Sequence, residues 1–401
     1  MNVIILHHQL SLYGGAERVV VQQAKAFMNH GWETKIIACN SQPHKEYEGL
    51  NIVLPEEKVD WKIRGSKSSD IFEILYTYKG LRELAEEYVD WADVYVANSF
   101  PSQWAIPKRF KDRSVWQCNE IPDLWHAYKP NATTHLAIWF GRYYDRMMIS
   151  GRVGRAVVAD RQNAKLFMER YGFKPEIVSY GVDGQYFSKP LMEKEFEILE
   201  NCDYLKEKSG DCPAILQVGM ISPSKNQLEL LQALKLLKKR YKDAQVLFAG
   251  FYSESDSYYQ FLQDYVTKNE LENNVVFLGH VEREELRILY RLVDIAVFPG
   301  RGQGSWLSPL EALVSGECVI VSDKLPCSDL IRNLGFSPYI GQIAESPRLL
   351  FDKIFCMYED YEYWLNKAKD ARQYILDKMT WKHYTDRIIK IIENHDNGVK
   401  V

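Results

Sequence analysis

The stretch Ile295-Ala296-Val297-Phe298-Pro299-Gly300-Arg301-Gly302-Gln303-Gly304-Ser305-Trp306-Leu307-Ser308-Pro309-Leu310-Glu311-Ala312-Leu313-Val314-Ser315-Gly316 decides the fold. Its four leading apolar residues read as a buried strand and the glycine-rich run as a loop. A helix is expected from about Leu307 to Pro309 onward, with proline suited to its first turn. Strand, glycine loop and helix form the repeating unit of doubly wound α/β sheets, which bind ligands outside the carboxyl ends of their strands. Glu311 is expected in the first turn of that helix. A carboxylate there can accept two hydrogen bonds from a vicinal diol such as a ribose. The same position also suits an acid that only complements the helix dipole.

The rhythm repeats on both sides. Residues 214–218, 245–249, 275–278 and 318–321 are short apolar runs, with a helical pattern over 226–240. Further upstream, residues 3–6, 34–38, 93–97, 115–118 and 156–159 alternate with helical-period segments such as 16–29. Continuous apolar strands alternating with helices predict parallel sheets covered on both faces. Residues 188–211 are charged and poor in apolar pattern, which marks a linker. The expected architecture is α/β, two doubly wound halves facing a central cleft.

A length of 401 residues exceeds one ordinary core. Fifty Lys and Arg against 54 Asp and Glu give a net charge of -4, which argues against a general nucleic-acid binder. Met1-Asn2 runs straight into residues 3–6, without the charged start and long apolar run of a secretory signal. No apolar stretch reaches about 18 residues, so no membrane-spanning helix is expected. The seven cysteines are scattered and form no CxxC pair, which fits a reducing cytoplasm and predicts neither disulfides nor zinc.

Two more loops follow strands and precede helices. Leu12-Tyr13-Gly14-Gly15-Ala16-Glu17-Arg18 offers glycines and free helix N–H groups to a ligand, or is simply a tight turn. Gly219-Met220-Ile221-Ser222-Pro223-Ser224-Lys225-Asn226 places a lysine where it can meet phosphate, or a solvated surface lysine. It is not a P-loop, because GxxxxGK[ST] is absent.

The ordered set resembles retaining glycosyltransferases of the GT-B fold, family 4 (glycosyl transferases group 1). Gly14-Gly15-Ala16-Glu17-Arg18 is similar to that family's GGAER opening. Tyr180-Gly181-Val182-Asp183 with Phe187 resembles its NGVD-x3-F signature, and Lys225-Asn226-Gln227 its KN segment. Gln303 to Glu311 stands where the family carries two glutamates. Leu278-Gly279-His280-Val281 and Thr380-Trp381 are also similar to family features.

The resemblance implies two Rossmann-like domains. Residues 1–187, completed by a C-terminal helix at about 381–401, would bind the acceptor. Residues 188–211 would be the linker region, and 212–380 would bind the nucleotide-sugar. It implies a hexosyltransferase-type enzyme of EC 2.4 that retains anomeric configuration, with the leaving phosphate assisting as base. Neither metal nor cofactor is implied, and no DxD motif is present. The donor would be a UDP- or GDP-sugar and the acceptor a glycan or lipid-linked molecule. Catalytic roles carry over to Asn119, Lys225 and Gln303. Donor-binding roles carry over to Gly14, Gly15, Gly219, Lys225, Asn226, His280, Gly304, Ser305, Trp306, Leu307 and Glu311. His280 also reads as a structural loop histidine.

Three positions depart from the family pattern. Met220 replaces an arginine, Asn119 a histidine and Gln303 a glutamate. A variant enzyme fits, because amides still hydrogen-bond sugar hydroxyls. A sugar-nucleotide epimerase and a non-catalytic nucleotide-sugar-binding protein are the other two readings, and an epimerase would need ionisable groups at these positions. The basic run Lys108-Arg109-Phe110-Lys111-Asp112-Arg113 and the mixed run Arg142 to Met148 read as solvated surface, or as peripheral contact with anionic lipid at the inner face of the membrane.

Overall fold

The computed structural model describes residues 1–10, 14–56, 69–121, 132–192, 212–300 and 306–396. The chain forms two compact units, Met1–Tyr180 with Trp381–Val401, and Gly181–Thr380.

Unit 1 is built on seven parallel strands: β1 (Asn2–His7), β2 (Glu33–Ile37), β3 (Ile52–Val53), β4 (Val94–Asn98), β5 (Ser114–Gln117), β6 (Arg155–Val158) and β7 (Glu176–Ile177). Their order is β3-β2-β1-β4-β5-β6-β7, so the winding direction reverses between β1 and β4. Central strands of such a sheet are covered on both faces. Accordingly Val3, Ile4, Ile5 and Leu6 are all buried, with Ile5 in register with Ile36 on one side and Val96 on the other. β3 and β7 escaped the sequence pattern because two-residue edge strands carry no period.

The helix Gly15–Asn29 buries Val20, Ala24 and Phe27 on one face. The terminal helix Trp381–Asp396 buries Tyr384, Ile388 and Ile392, four residues apart, and docks in the same unit. A buried polar chain holds it there. Asn98 Nδ2 donates to Gln23 Oε1 at 2.7 Å, Gln23 Nε2 to the Tyr384 hydroxyl at 2.8 Å, and that hydroxyl to Gln117 Oε1 at 2.9 Å. Each bond fixes the orientation of the next amide, and together they tie the ends of β4 and β5 to two helices.

Unit 2 holds β8 (Ala214–Val218), β9 (Gln245–Ala249), β10 (Val275–Gly279), β11 (Ile295–Phe298) and β12 (Cys318–Val321), all parallel, in the order β10-β9-β8-β11-β12. Here the reversal lies between β8 and β11.

The boundary differs from the sequence expectation of 187. Residues 181–187 pack into unit 2, because Phe187 is fully buried against Tyr290 and the Asp183 carboxylate pairs with Arg283. Val182 N–H donates to the Met379 carbonyl at 2.8 Å. Of the expected linker, residues 193–211 lie outside the described residues.

Candidate functional site

In unit 2 the loops after β8 and β11 meet at the reversal point. Gly219 ends β8 with φ +147°, a backbone state that side chains rarely adopt. The Lys225 methylenes pass 3.4–3.6 Å from where its Cβ would lie. Gly250, just past β9, comes closer still: a Cβ there would stand 2.1 Å from the Gly219 carbonyl oxygen. The loop from Gly219 to Asn226 thus lies directly on the sheet edge. Gln217 Nε2 donates to the Lys225 carbonyl at 2.7 Å, so a buried side chain of β8 holds the lysine backbone. Met220 points outward, 56% exposed.

Asn226 serves the scaffold. It is buried in the left-handed region, φ 56° and ψ 44°, as N-cap of the helix Gln227–Leu237. Its Nδ2 donates to Glu229 Oε2 and to the Pro299 carbonyl at 3.1 Å. Glu229 Oε1 in turn accepts from the Tyr339 hydroxyl at 2.7 Å. Through these bonds Asn226 joins the loop after β8 to the end of β11.

The helix after β11 runs Leu307–Ser315 with Trp306 buried at its N-cap. Its first-turn N–H groups have no intrahelical partners and favour negative charge. Glu311 is its fifth residue, so the expected first-turn placement is corrected to the second turn. The helix starts at the early end of the expected range, which moves the carboxylate one turn inward, where it is 3% exposed. Gln303, Gly304 and Ser305 lie outside the described residues. His280 follows β10, exposed, with Nε2 3.5 Å from Glu282 Oε1.

Unit 1 gathers a second set at its own reversal point. Gly14 caps the helix Gly15–Asn29 and donates its N–H to Glu17 Oε2 at 3.0 Å. Glu17 Oε1 faces His7 Nε2 at 3.4 Å, and His7 Nδ1 lies 3.2 Å from the Asn98 carbonyl oxygen. Burial pushes the Glu17 carboxyl up. The His7 hydrogen bond and charge and the N–H groups of Glu17 and Gly14 more than offset this, and its pKa lies below the ordinary value. Beside it His8 is driven down to about 3 by burial and by the His7 charge, with Glu17 opposing. Its Nδ1 is buried without a hydrogen-bond partner among the described residues.

Asn119 follows β5. Its Nδ2 donates to Ser99 Oγ at 2.7 Å and its Oδ1 accepts from the Tyr180 hydroxyl at 2.6 Å. Among the described residues these two bonds leave one amide hydrogen and one lone pair of Asn119 unused. His7, His8, Glu17 and Ser99 were missed as site residues. The available signal was the His7-His8 pair, which sits at the carboxyl end of the first apolar strand.

Residues 206–354 match the family model described as glycosyl transferases group 1. The chain is 29% identical over 155 residues to the O-antigen chain mannosyltransferase RfbU of Salmonella typhimurium, covering 39% of this chain and 40% of that protein. Under half the length of the first curated relatives is matched. A glycosyltransferase from Rickettsia africae superposes with a TM-score of 0.75 at 19% identity, covering 98% of each chain. Anabaena HepE in complex with UDP gives 0.72 at 15% identity, covering 98% of this chain and 100% of that one. The fold is GT-B, and the segment resembling group 1 glycosyltransferases is the one that carries the glycine-edged loops of unit 2.

Proposed function

We propose that the chain is a retaining glycosyltransferase that moves a sugar from a nucleoside diphosphate-sugar to a glycan or lipid-linked acceptor. The observation that carries this is the unit 2 reversal point. There Lys225 and the N-terminus of the helix Leu307–Ser315 offer positive charge to a diphosphate, and buried Glu311 lies in the second turn of the same helix. The names of the relatives support it: RfbU is a mannosyltransferase, and HepE was solved with UDP.

In this reading Lys225 and the helix N-terminus stabilise the leaving diphosphate, so no metal is required. Glu311 accepts from the ribose hydroxyls. The donor-binding roles fall to Gly219, Asn226, His280, Gly304, Ser305, Trp306 and Leu307, and a catalytic role to Gln303. Unit 1 holds the acceptor; its Gly14 and Gly15 keep a donor-binding role, and Asn119 a catalytic one. The acceptor hydroxyl oxygen bonds to the anomeric carbon. The bond from that carbon to the β-phosphate oxygen breaks with its electron pair on the phosphate, and the hydroxyl proton passes to that same oxygen. The new bond forms on the face the phosphate leaves.

The test is a thermal-shift screen of UDP, GDP and their sugars, since a ligand of the folded state raises the midpoint. Glu311→Ala should weaken binding of the free diphosphate by about 1.5–3 kcal/mol. Transfer should persist in chelator, and Gln303→Ala should lose turnover. Unchanged nucleotide affinity in Glu311→Ala would overturn the assignment.

A further inference from the structure

Unit 2 holds a cavity of about 460 Å³ away from the glycine-edged loops. It lies at the amino ends of β11 and β12, the opposite edge of the sheet from those loops. Arg291 stands in the last turn of the helix Arg283–Leu292, just before β11, and Glu317 directly precedes β12. Ser315 and Gly316, at the end of the helix Leu307–Ser315, form part of the wall. The N-terminus of that helix borders the proposed diphosphate site, so its nine residues set the two places roughly 13 Å apart. The cavity has the size of small-molecule sites.

Its walls carry more positive than negative charge. The helix Tyr361–Lys378 brings Leu365, Lys369 and Arg372 to the cavity, spaced i, i+4 and i+7 along one face. Arg291 Nη2 donates to the Phe187 and Lys189 carbonyls at 3.1 and 3.2 Å, and Arg372 Nη2 to the Ser188 carbonyl at 2.7 Å. These bonds hold both guanidinium groups in place. They go to neutral oxygens, so among the described residues neither arginine has a carboxylate as hydrogen-bond partner. Both keep donors in reserve. Arg291 Nε is buried without a partner among the described residues, and Arg372 Nη1 lies 3.8 Å from the Cβ position of Gly316. Burial and the charges of Arg372 and Arg287 hold the Arg291 pKa below its ordinary value, with Glu317 opposing. Three cations thus share the wall with one carboxyl group. The two helix C-termini add only about half a negative charge each, so the cavity stays positive.

We propose that this cavity binds the phosphate group of a small organic phosphomonoester. Guanidinium groups take phosphate oxygens in pairs, and an ammonium adds a point charge, here Lys369 at an exposed position. Pro190, Leu191 and Leu365 offer apolar wall to the organic part, which a bare inorganic anion would leave unused. The inference stands apart from the glycosyl-transfer reading.

The test is titration of the full chain, in buffer free of phosphate, with phenyl phosphate, inorganic phosphate, benzoate and phenol. Phenyl phosphate should bind. Inorganic phosphate should bind about tenfold more weakly for want of the apolar contact, and benzoate and phenol not measurably. Arg372→Gln should weaken phenyl phosphate binding about tenfold or more. That variant also loses the bond to Ser188, so Lys369→Glu is the second variant. It should keep the wild-type circular dichroism, unfolding midpoint and UDP affinity, and bind phenyl phosphate about tenfold more weakly. Lys225→Ala should bind phenyl phosphate as the wild type does, which separates this cavity from the donor site. No binding of phenyl phosphate by a wild type that binds UDP would overturn this proposal alone. Unchanged binding in folded Lys369→Glu, or loss of binding in Lys225→Ala, would overturn it too. Equal affinity for benzoate would overturn the assignment to phosphate.

Discussion

The Asn226 amide donates to the Pro299 carbonyl oxygen at 3.1 Å, joining the loop after β8 to the end of β11 across 73 residues of sequence. Asn226→Asp changes little in shape, yet it sets a carboxylate against Glu229 Oε2 and the Pro299 carbonyl, which are both acceptors. It should cost about 3 kcal/mol or more, as expected for an unpaired buried charge. Asn226→Ala should cost about 1–3 kcal/mol for the lost hydrogen bonds. Urea unfolding together with UDP titration checks this, and both stability and affinity should fall.

Gly250→Ala places a methyl 2.1 Å from the Gly219 carbonyl oxygen and 2.8 Å from Met220 N, both backbone atoms. No rotamer relieves this contact, so β9 or the Lys225 loop must move. A loss of about 3 kcal/mol is expected. If the protein still folds, nucleotide affinity should drop, although residue 250 carries no ligand-binding side chain. An unfolding midpoint within experimental error of wild type would contradict the close approach.

His8 makes stability fall in acid. Its folded pKa, about 3, lies below the unfolded value near 6.5. The folded state therefore favours neutral His8. The stability this contributes is fully present above about pH 6.5 and is lost as pH falls toward 3. From pH 6 to 5 the loss from this group alone should be about 1 kcal/mol. Glu17, whose pKa is lowered, adds a loss in the same direction below its unfolded value near 4.3. Denaturant midpoints of wild type and His8→Phe across this range provide the measurement, and the variant should have the shallower slope between pH 6.5 and 5.

Lys225→Ala should reduce transfer more than it disturbs folding, because the lysine carbonyl, and not its ammonium, bonds Gln217. Met220→Arg should fold normally, since Met220 is 56% exposed. The added charge should raise nucleoside diphosphate affinity by about 1 kcal/mol or more. Titration calorimetry with UDP and GDP decides it. A folded Met220→Arg protein with weaker binding would mean that residue 220 faces away from the phosphates.

Much of the architecture was legible in order along the chain. Residues 3–6, 214–218 and 295–298 are unbroken apolar runs because a central parallel strand is covered on both faces, and that pattern is local. The glycines at 14, 219 and 300 were legible for a similar reason: a chain leaving a strand for a helix needs a turn there. Tertiary structure decided what no local pattern carries. That Asn226 bonds Pro299, 73 positions away, is not legible in the loop that carries it. His7 is unremarkable until Asn98, 91 positions away, stands at its Nδ1 and the Gly14 loop brings Glu17 to its Nε2. Residues 181–187 look like the end of the first domain until Tyr290 and Arg283 close over them. Strand and helix periods arise from neighbouring residues, whereas the partners of a buried polar group are set by strand order. In a parallel sheet that order joins positions that only crossover connections bring together.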